Sequence, residues 1–326
     1  MTRHGEQAVN SPVGGLQVFG GSASSALTDK VCQYLNLPRG KASSSHFPDG
    51  ETLIKLEDDV RGRDCFVIQS TCPPVNDNLM ELLIFIDSLR RASAQRITAV
   101  IPYYGYARQD RKAEGRTPIT AKLVANMIAQ AGADRVLAMN LHADQIQGFF
   151  DLPVDHLTAA PVLARHCLSR KIPDAVFVSP DVGNLKLGND FAARLGAELA
   201  VIYKRRLSGD KTTAVKLVGD VAGKTAVMFD DMITTAGTVA EAAHLVRAHG
   251  ARAIYVGATH GLFAGPALQR LREAELAEIV VTDTVPLRPD VAAGLKNLTV
   301  LSVAELIGEA IRRIHEHRSV SALFDR

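Results

Sequence analysis

AVMFDDMITTAGTVAEAAHLV, Ala226–Val246, reads as three pieces in series. An apolar strand, Ala226–Phe229, runs into Asp230-Asp231; a loop of small residues, Thr234-Thr235-Ala236-Gly237-Thr238, follows; a helix begins at about Val239. Strand, loop and helix make half of a βαβ unit, and the same alternation runs the length of the chain. Further candidate strands are Leu16–Phe19, Cys65–Gln69, Ile97–Ile101, Arg135–Met139, Ala175–Val178, Leu199–Ile202, Ala253–Thr259 and Ile279–Thr282. Between them, Asn78–Ala92 carries Leu79, Leu82, Leu83, Ile86 and Leu89 at helical spacing; Ile119–Ala131, Asn189–Leu195 and Val239–His249 are further amphipathic stretches. The pattern predicts parallel α/β sheets, in which ligands sit beyond the carboxyl ends of the strands.

The two halves resemble one another. Residues 65–111 read strand, Ser/Thr-Asn loop, helix, strand, aromatic-Gly loop; residues 225–266 read strand, Asp-Asp/Thr-Gly loop, helix, strand, Thr-His-Gly loop. With 326 residues, the chain is long enough for two such domains. Composition fits a globular protein with ample core, at 47% apolar and 22% charged residues. A net charge of only +2 gives no overall electrostatic case for binding nucleic acid or membrane, so any basic site is local. Cys32, Cys65, Cys72 and Cys167 form no CxxC pair, which predicts reduced, buried thiols and a cytoplasmic setting. No apolar run reaches the roughly 18 residues that would signal a membrane span. Residues 1–14 lack the apolar core of a signal peptide and read as a loose tail.

Small residues before a helix let backbone N–H groups approach an anion, and the helix N-terminus adds partial positive charge. Phosphate is the natural occupant of Thr234–Thr238. Two carboxylates beside it repel that anion and need a purpose: accepting hydrogen bonds from sugar hydroxyls, or binding Mg²⁺. The motif therefore reads as a phosphorylated-sugar site, and it resembles the binding loop of the phosphoribosyltransferase superfamily. GDVAGKT, Gly219–Thr225, imitates a P-loop but has three residues between its glycines instead of four and precedes its strand, so it reads as a turn.

Other stretches carry chemistry-bearing residues. KRRLSGDKTTAVK, residues 204–216, is polar and follows a strand, as a basic flap would; Lys204, Arg205 and Arg206 could neutralise charge on a transferring phosphoryl group. HFPDGET, His46–Thr52, contains a Pro-Asp-Gly turn. PYYGYARQDR, Pro102–Arg111, offers aromatic and guanidinium planes to stack on a base, or to form a subunit interface. NLHADQIQGFFDLPVD, Asn140–Asp155, places His142 at a strand end as a metal-ligand candidate.

Together these motifs, with STCPPVNDNLMELL, PITAKLVANM, VSPD, THGLFAGPA and EAIRRIHEHRSVSALF, resemble the ribose-phosphate pyrophosphokinase (phosphoribosyl pyrophosphate synthetase) family from about Leu16 to Phe324. The resemblance implies two similar phosphoribosyltransferase-like domains, 15–158 and 159–326, each a mainly parallel sheet flanked by helices. It also implies transfer of pyrophosphate from MgATP to the C1 hydroxyl of ribose 5-phosphate, giving phosphoribosyl pyrophosphate and AMP. Residue by residue, it assigns ATP binding to Phe47, Asp49, Gly50 and Glu51, reaching a neighbouring subunit's site, and to Arg108 and Gln109. Mg²⁺ falls to His142 and Asp181, and catalysis to Lys204 and Arg206. The ribose hydroxyls fall to Asp230 and Asp231, and the 5-phosphate to Thr234, Thr235, Ala236, Gly237 and Thr238. The family implies a homohexamer built from dimers, with phosphate and ADP as effectors.

Four positions depart from the family pattern: Asn140 replaces an acidic residue and weakens one metal contact; Asn184 and Leu187 stand where a glycine and an arginine are usual; Thr234 replaces aspartate. These departures raise two alternatives, a regulatory homologue that binds an active synthetase and a phosphoribosyltransferase. Retention of Lys204, Arg206, Asp230 and Asp231 favours the active enzyme.

Overall fold

The structure, a computed structural model, describes residues 15–112, 114–180, 185–206 and 213–323, with backbone alone at 185–187, 204–206 and 213–215. The described chain divides into two units. The first holds the chain as far as Ala138, with Ala143–Asp155 and the segment from Ala304 onward; the second holds Met139–His142 and His156–Val303.

In the first unit, β1 (Leu16–Gly20), α1 (Ser25–Leu35), β2 (Ala42–His46), β3 (Thr52–Leu56), β4 (Asp64–Ile68), α2 (Val75–Arg91), β5 (Arg96–Ile101), α3 (Thr120–Ala131), β6 (Arg135–Met139) and β7 (Val154–Leu157) follow in order. Sheet order is β1-β4-β5-β6-β7, and registers are parallel from β1 through β6. Continuous burial along β4 explains its unbroken apolar run, as a sheet covered on both faces requires. β2 and β3 form a separate antiparallel hairpin, which the sequence pattern did not signal: ASSSH is exposed and has no apolar alternation.

The second unit contains α4 (Ala160–Arg170), β8 (Ala175–Ser179), α5 (Leu185–Leu195), β9 (Glu198–Arg206), β10 (Thr213–Val218), β11 (Thr225–Ile233), α6 (Gly237–Ala248), β12 (Ala253–Gly261), α7 (Ala267–Glu273), β13 (Glu278–Thr282), α8 (Pro289–Gly294) and β14 (Leu298–Leu301). Its sheet order is β10-β9-β8-β11-β12-β13-β14, with β9/β10 antiparallel and the other registers parallel. The sequence likeness between the halves falls on β4-α2-β5 and β11-α6-β12, both parallel strand pairs spanned by a helix.

The final helix, α9 (Ala304–His315), belongs to the first unit rather than to the C-terminal half in which a linear split at residue 158 placed it. Asp64 accepts a forked pair of bonds from Arg96 and pairs with His315 Nδ1 at 2.7 Å; Tyr34 donates to Glu309 at 3.1 Å, and Arg312 lies 5.0 Å above the Tyr34 ring. Such partners are distant in sequence and leave no periodic signal.

Two stretches differ from expectation. β11 continues through Asp230 and Asp231 to Ile233, because β12 keeps pairing with it as far as Gly261. Residues 204–206 and 213–216 are not loop but the facing arms of β9 and β10, with Lys204 opposite Val215 and Arg206 opposite Thr213; residues 207–212 lie outside the described chain. All four cysteines are free and buried. Among the described residues no helix is long and apolar enough to cross a membrane.

Phe229, the last apolar residue before Asp230, is wedged among Phe191, 4.6 Å away between centroids, Phe177 at 5.9 Å, and Gly257 on β12. A Cβ at Gly257 would stand 2.1 Å from the Phe229 ring, which packed neighbours keep from yielding. Gly257→Ala is therefore expected to destabilise the fold by about 1–3 kcal/mol, read as a lowered urea midpoint at unchanged m-value.

Candidate active site

The carboxyl end of β11 and the start of α6 form one junction. Ile233 ends the strand; Thr234 accepts from the Ala264 backbone N–H at 2.7 Å, and Arg270 of α7 donates to the Thr235 carbonyl at 3.0 Å, so the loop is pinned from outside. Ala236 takes a left-handed conformation, φ +57°, and turns the chain into α6. No side chain caps the helix, which leaves its first N–H groups available to a ligand. Thr235 and Thr238 are exposed, and Thr234 and Gly237 half-buried. The helix starts at Gly237, two residues earlier than the sequence implied.

Asp230 and Asp231 sit half-buried on the last turn of strand before that loop. Asp231 Oδ2 lies 2.6 Å from His142 Nδ1, which brings the predicted metal ligand directly against a predicted ribose carboxylate. Burial pulls the Asp231 carboxyl up, but the hydrogen bond and charge of His142, with a further contribution from Asp230, outweigh it and hold the group below the usual carboxylate range. Asp231 is therefore an ionised acceptor at neutral pH.

Asn140, on the approach to His142, has its side chain engaged in holding the turn: Oδ1 accepts from the Ala159 N–H at 2.7 Å. Its left-handed φ of +41° is a conformation Asn tolerates better than most residues. His156 and His260 also reach this turn, and sequence reasoning assigned neither a role. His260 had a signal, the Thr-His-Gly that ends β12; His156 had none.

The remaining predicted residues are distributed as follows. Phe47, Asp49, Gly50 and Glu51 occupy the tip of the β2–β3 hairpin in the first unit, closed by the Phe47 N–H to Glu51 carbonyl bond at 2.8 Å, with Phe47 49% exposed. Arg108 and Gln109 lie exposed in the loop after β5, also in the first unit. Tyr103 and Tyr104 are core residues rather than a stacking surface; the Tyr104 hydroxyl donates to the Ala121 carbonyl. Asp181 and Asn184 lie outside the described residues, as do the side chains of Leu187, Lys204 and Arg206. Lys224 of the P-loop imitation is paired with Glu198 at 2.7 Å, as a turn residue. Among the described residues no three His, Cys, Asp or Glu side chains converge as a metal site.

Comparison with known proteins assigns this arrangement. Residues 16–132 match the model for the N-terminal domain of ribose phosphate pyrophosphokinase, and residues 205–325 the phosphoribosyl synthetase-associated domain. A ribose-phosphate pyrophosphokinase of Rhodopirellula baltica is 55% identical, over 95% of this chain and 98% of its own. The chain belongs to the ribose-phosphate pyrophosphokinase family. Another member, from Synechocystis, is 51% identical over 99% of this chain and 97% of its own. The crystal structure of phosphoribosylpyrophosphate synthetase from Mycobacterium smegmatis superposes with a TM-score of 0.86 at 44% identity, covering 93% of this chain and 99% of that one. The family expected from the motifs is borne out, as is an α/β fold with two mainly parallel sheets, and the chain is an enzyme of the family's type.

His260 adds a pH dependence to this pyrophosphokinase fold. Burial drives its imidazole down to about 4, against smaller upward pulls from the Asn140 carbonyl and the Asp231 charge. The folded chain thus binds this proton less readily than the unfolded chain, whose histidine titrates near 6.5. The stabilisation from neutral His260 is complete above about pH 6.5 and is lost as pH falls toward 4, to the extent of about 3 kcal/mol. Urea unfolding followed from pH 7 to 4 is expected to show that decline, and His260→Gln to flatten it; equal slopes would contradict the assignment.

Proposed function

We propose that the chain transfers the β,γ-pyrophosphoryl group of ATP to the C1 hydroxyl of ribose 5-phosphate, giving phosphoribosyl pyrophosphate and AMP. The observation that carries this reading is the junction of β11 with α6: two strand-end carboxylates, Asp231 held ionised, followed at once by an uncapped helix N-terminus. Ribose 5-phosphate matches both halves. Its phosphate takes the N–H groups and hydroxyls of Thr234–Thr238, and its ring hydroxyls donate to Asp230 and Asp231.

In the reaction the C1 oxygen bonds to the β-phosphorus while the bridging bond to the α-phosphate breaks, and the displaced group leaves as AMP. The transferred group carries several negative charges, so positioning and positive charge lower the barrier without a covalent nucleophile. Lys204 and Arg206, near the end of β9, are assigned to stabilise that charge. Phe47, Asp49, Gly50 and Glu51 hold adenine in a neighbouring subunit's site, and Arg108 and Gln109 bind ATP; the exposed Phe47 at a hairpin tip supports this reading. Mg²⁺ is the cofactor, held by His142 and Asp181, and it would neutralise phosphate charge. His142 fits the role, since a carboxylate on Nδ1 is how metal-binding histidines are oriented. A cytoplasmic homohexamer built from dimers, with phosphate and ADP as effectors, completes the assignment; four buried free thiols agree with that compartment. High identity to named pyrophosphokinases over nearly the whole chain disfavours the regulatory and phosphoribosyltransferase alternatives.

Incubation with MgATP and ribose 5-phosphate is expected to release AMP and phosphoribosyl pyrophosphate in equal amounts, identified by mass. Failure to form AMP across a range of phosphate and metal concentrations would refute the reading. Lys204→Ala is expected to lower kcat by roughly 10²-fold or more while leaving ribose 5-phosphate affinity nearly intact. Equal losses in both would mean that the lysine only binds substrate.

A further inference from the structure

One peptide group in the second unit is held at both ends by imidazoles. The Asn140 carbonyl lies 3.1 Å from His260 Nε2, and the Leu141 N–H donates to His156 Nε2 at 2.9 Å. These are the C=O and N–H of the same peptide plane, between Asn140 and Leu141. The chemistry of each contact fixes a tautomer. A carbonyl only accepts, so His260 carries its proton on Nε2; a peptide N–H only donates, so His156 Nε2 is bare and its proton sits on Nδ1.

The surroundings of His260 agree. Its Nδ1, then an acceptor, lies 3.0 Å from Thr284 Oγ1, which can donate to it. The Thr259 carbonyl accepts from the Thr282 hydroxyl at 2.7 Å and also lies 3.0 Å from Thr284 Oγ1, so the Thr284 proton can turn to that carbonyl or to His260 Nδ1. His260 and Thr284 are each 1% exposed, and water does not replace either partner.

What the peptide carries explains the grip. Asn140 is left-handed at φ +41°, a conformation Asn visits more readily than most residues but one that fixed neighbours must hold in a single arrangement. Two residues further on, His142 meets Asp231 at 2.6 Å. His260 pairs with Met232 across the β11/β12 ladder, so the strand pair that presents Asp230 and Asp231 also anchors the turn that presents His142. A single hydrogen bond would leave the plane free to rotate about the other; opposite bonds at both ends do not.

We propose that His156 and His260 are positioning residues that clamp the Asn140–Leu141 peptide in opposite tautomers and so fix His142 against Asp231. The consequence for metal affinity rests on the proposed function, whereas the tautomers do not. Nitrogen-15 chemical shifts of the histidine-labelled full chain test the clamp directly, with His260 expected as the Nε2–H form and His156 as the Nδ1–H form at neutral pH. Both in the same form, or either one charged, would overturn the proposal. Titration with Mn²⁺ alone, read by electron paramagnetic resonance, tests the consequence. His260→Phe, which keeps the bulk and loses the donor, is expected to weaken Mn²⁺ binding about 10-fold, the scale seen when a ligand's outer support is removed. His260→Gln, which can still donate to the Asn140 carbonyl, is expected to recover most of that loss. Equal effects of Phe and Gln, or unchanged binding in a folded His260→Phe chain, would count against the clamp. Should the Phe variant not fold, the tautomers of the native chain still decide. Opposite tautomers in a chain that forms no AMP would uphold the clamp and refute the function.

Discussion

The short contact between Asp231 and His142 is the constraint on which the site depends. An anion-binding helix start directly after two carboxylates sets like charges close together; two unit charges 4 Å apart near a protein surface interact by about 4 kcal/mol. Left alone, Asp231 would relieve the conflict by taking up a proton, since burial already pushes it that way. The imidazole reverses that tendency and keeps the carboxylate ionised, as the proposed role of accepting sugar hydroxyls requires. The same bond orients His142, so one interaction prepares both the proposed sugar-binding side and the proposed metal-binding side of the site. Each further feature of the turn, from the Asn140 amide on Ala159 to the two histidines on the next peptide, supports the position of that imidazole.

The fold supplies the rigidity this requires. Asp230 follows Phe229, whose ring is locked between Phe177, Phe191 and the bare α-carbon of Gly257. Pairing of β11 with β12 extends through Met232 and Ile233, so Asp230, paired with Ala258, and Asp231, flanked by paired residues, project from a strand rather than from a loop. Sites carried on strands hold their geometry better than sites carried on free loops, which suits a reaction that relies on positioning.

Much of this was legible in the residues. Parallel strands buried on both faces write themselves as unbroken apolar runs, and β1, β4, β5, β6, β8, β11, β12 and β13 were found from them. The Thr234–Thr238 loop was legible because small residues before a helix have a specific physical use. What escaped lacked such a local signal. β2 is serine-rich and exposed, and β10 with the end of β9 is basic and polar, so neither shows alternation. The return of α9 to the first unit rests on Asp64 with Arg96 and His315, partners far apart in the chain. His156 and His260 act on backbone atoms of residues more than ten positions away, which no spacing rule encodes.

A crystal structure of the chain grown with ribose 5-phosphate tests the central assignment most directly. The expected density places the 5-phosphate on the backbone N–H groups of Thr234–Thr238 and the ring hydroxyls about 3 Å from the Asp230 and Asp231 carboxylates. A sugar phosphate bound elsewhere, with the first turn of α6 left bare, would contradict it.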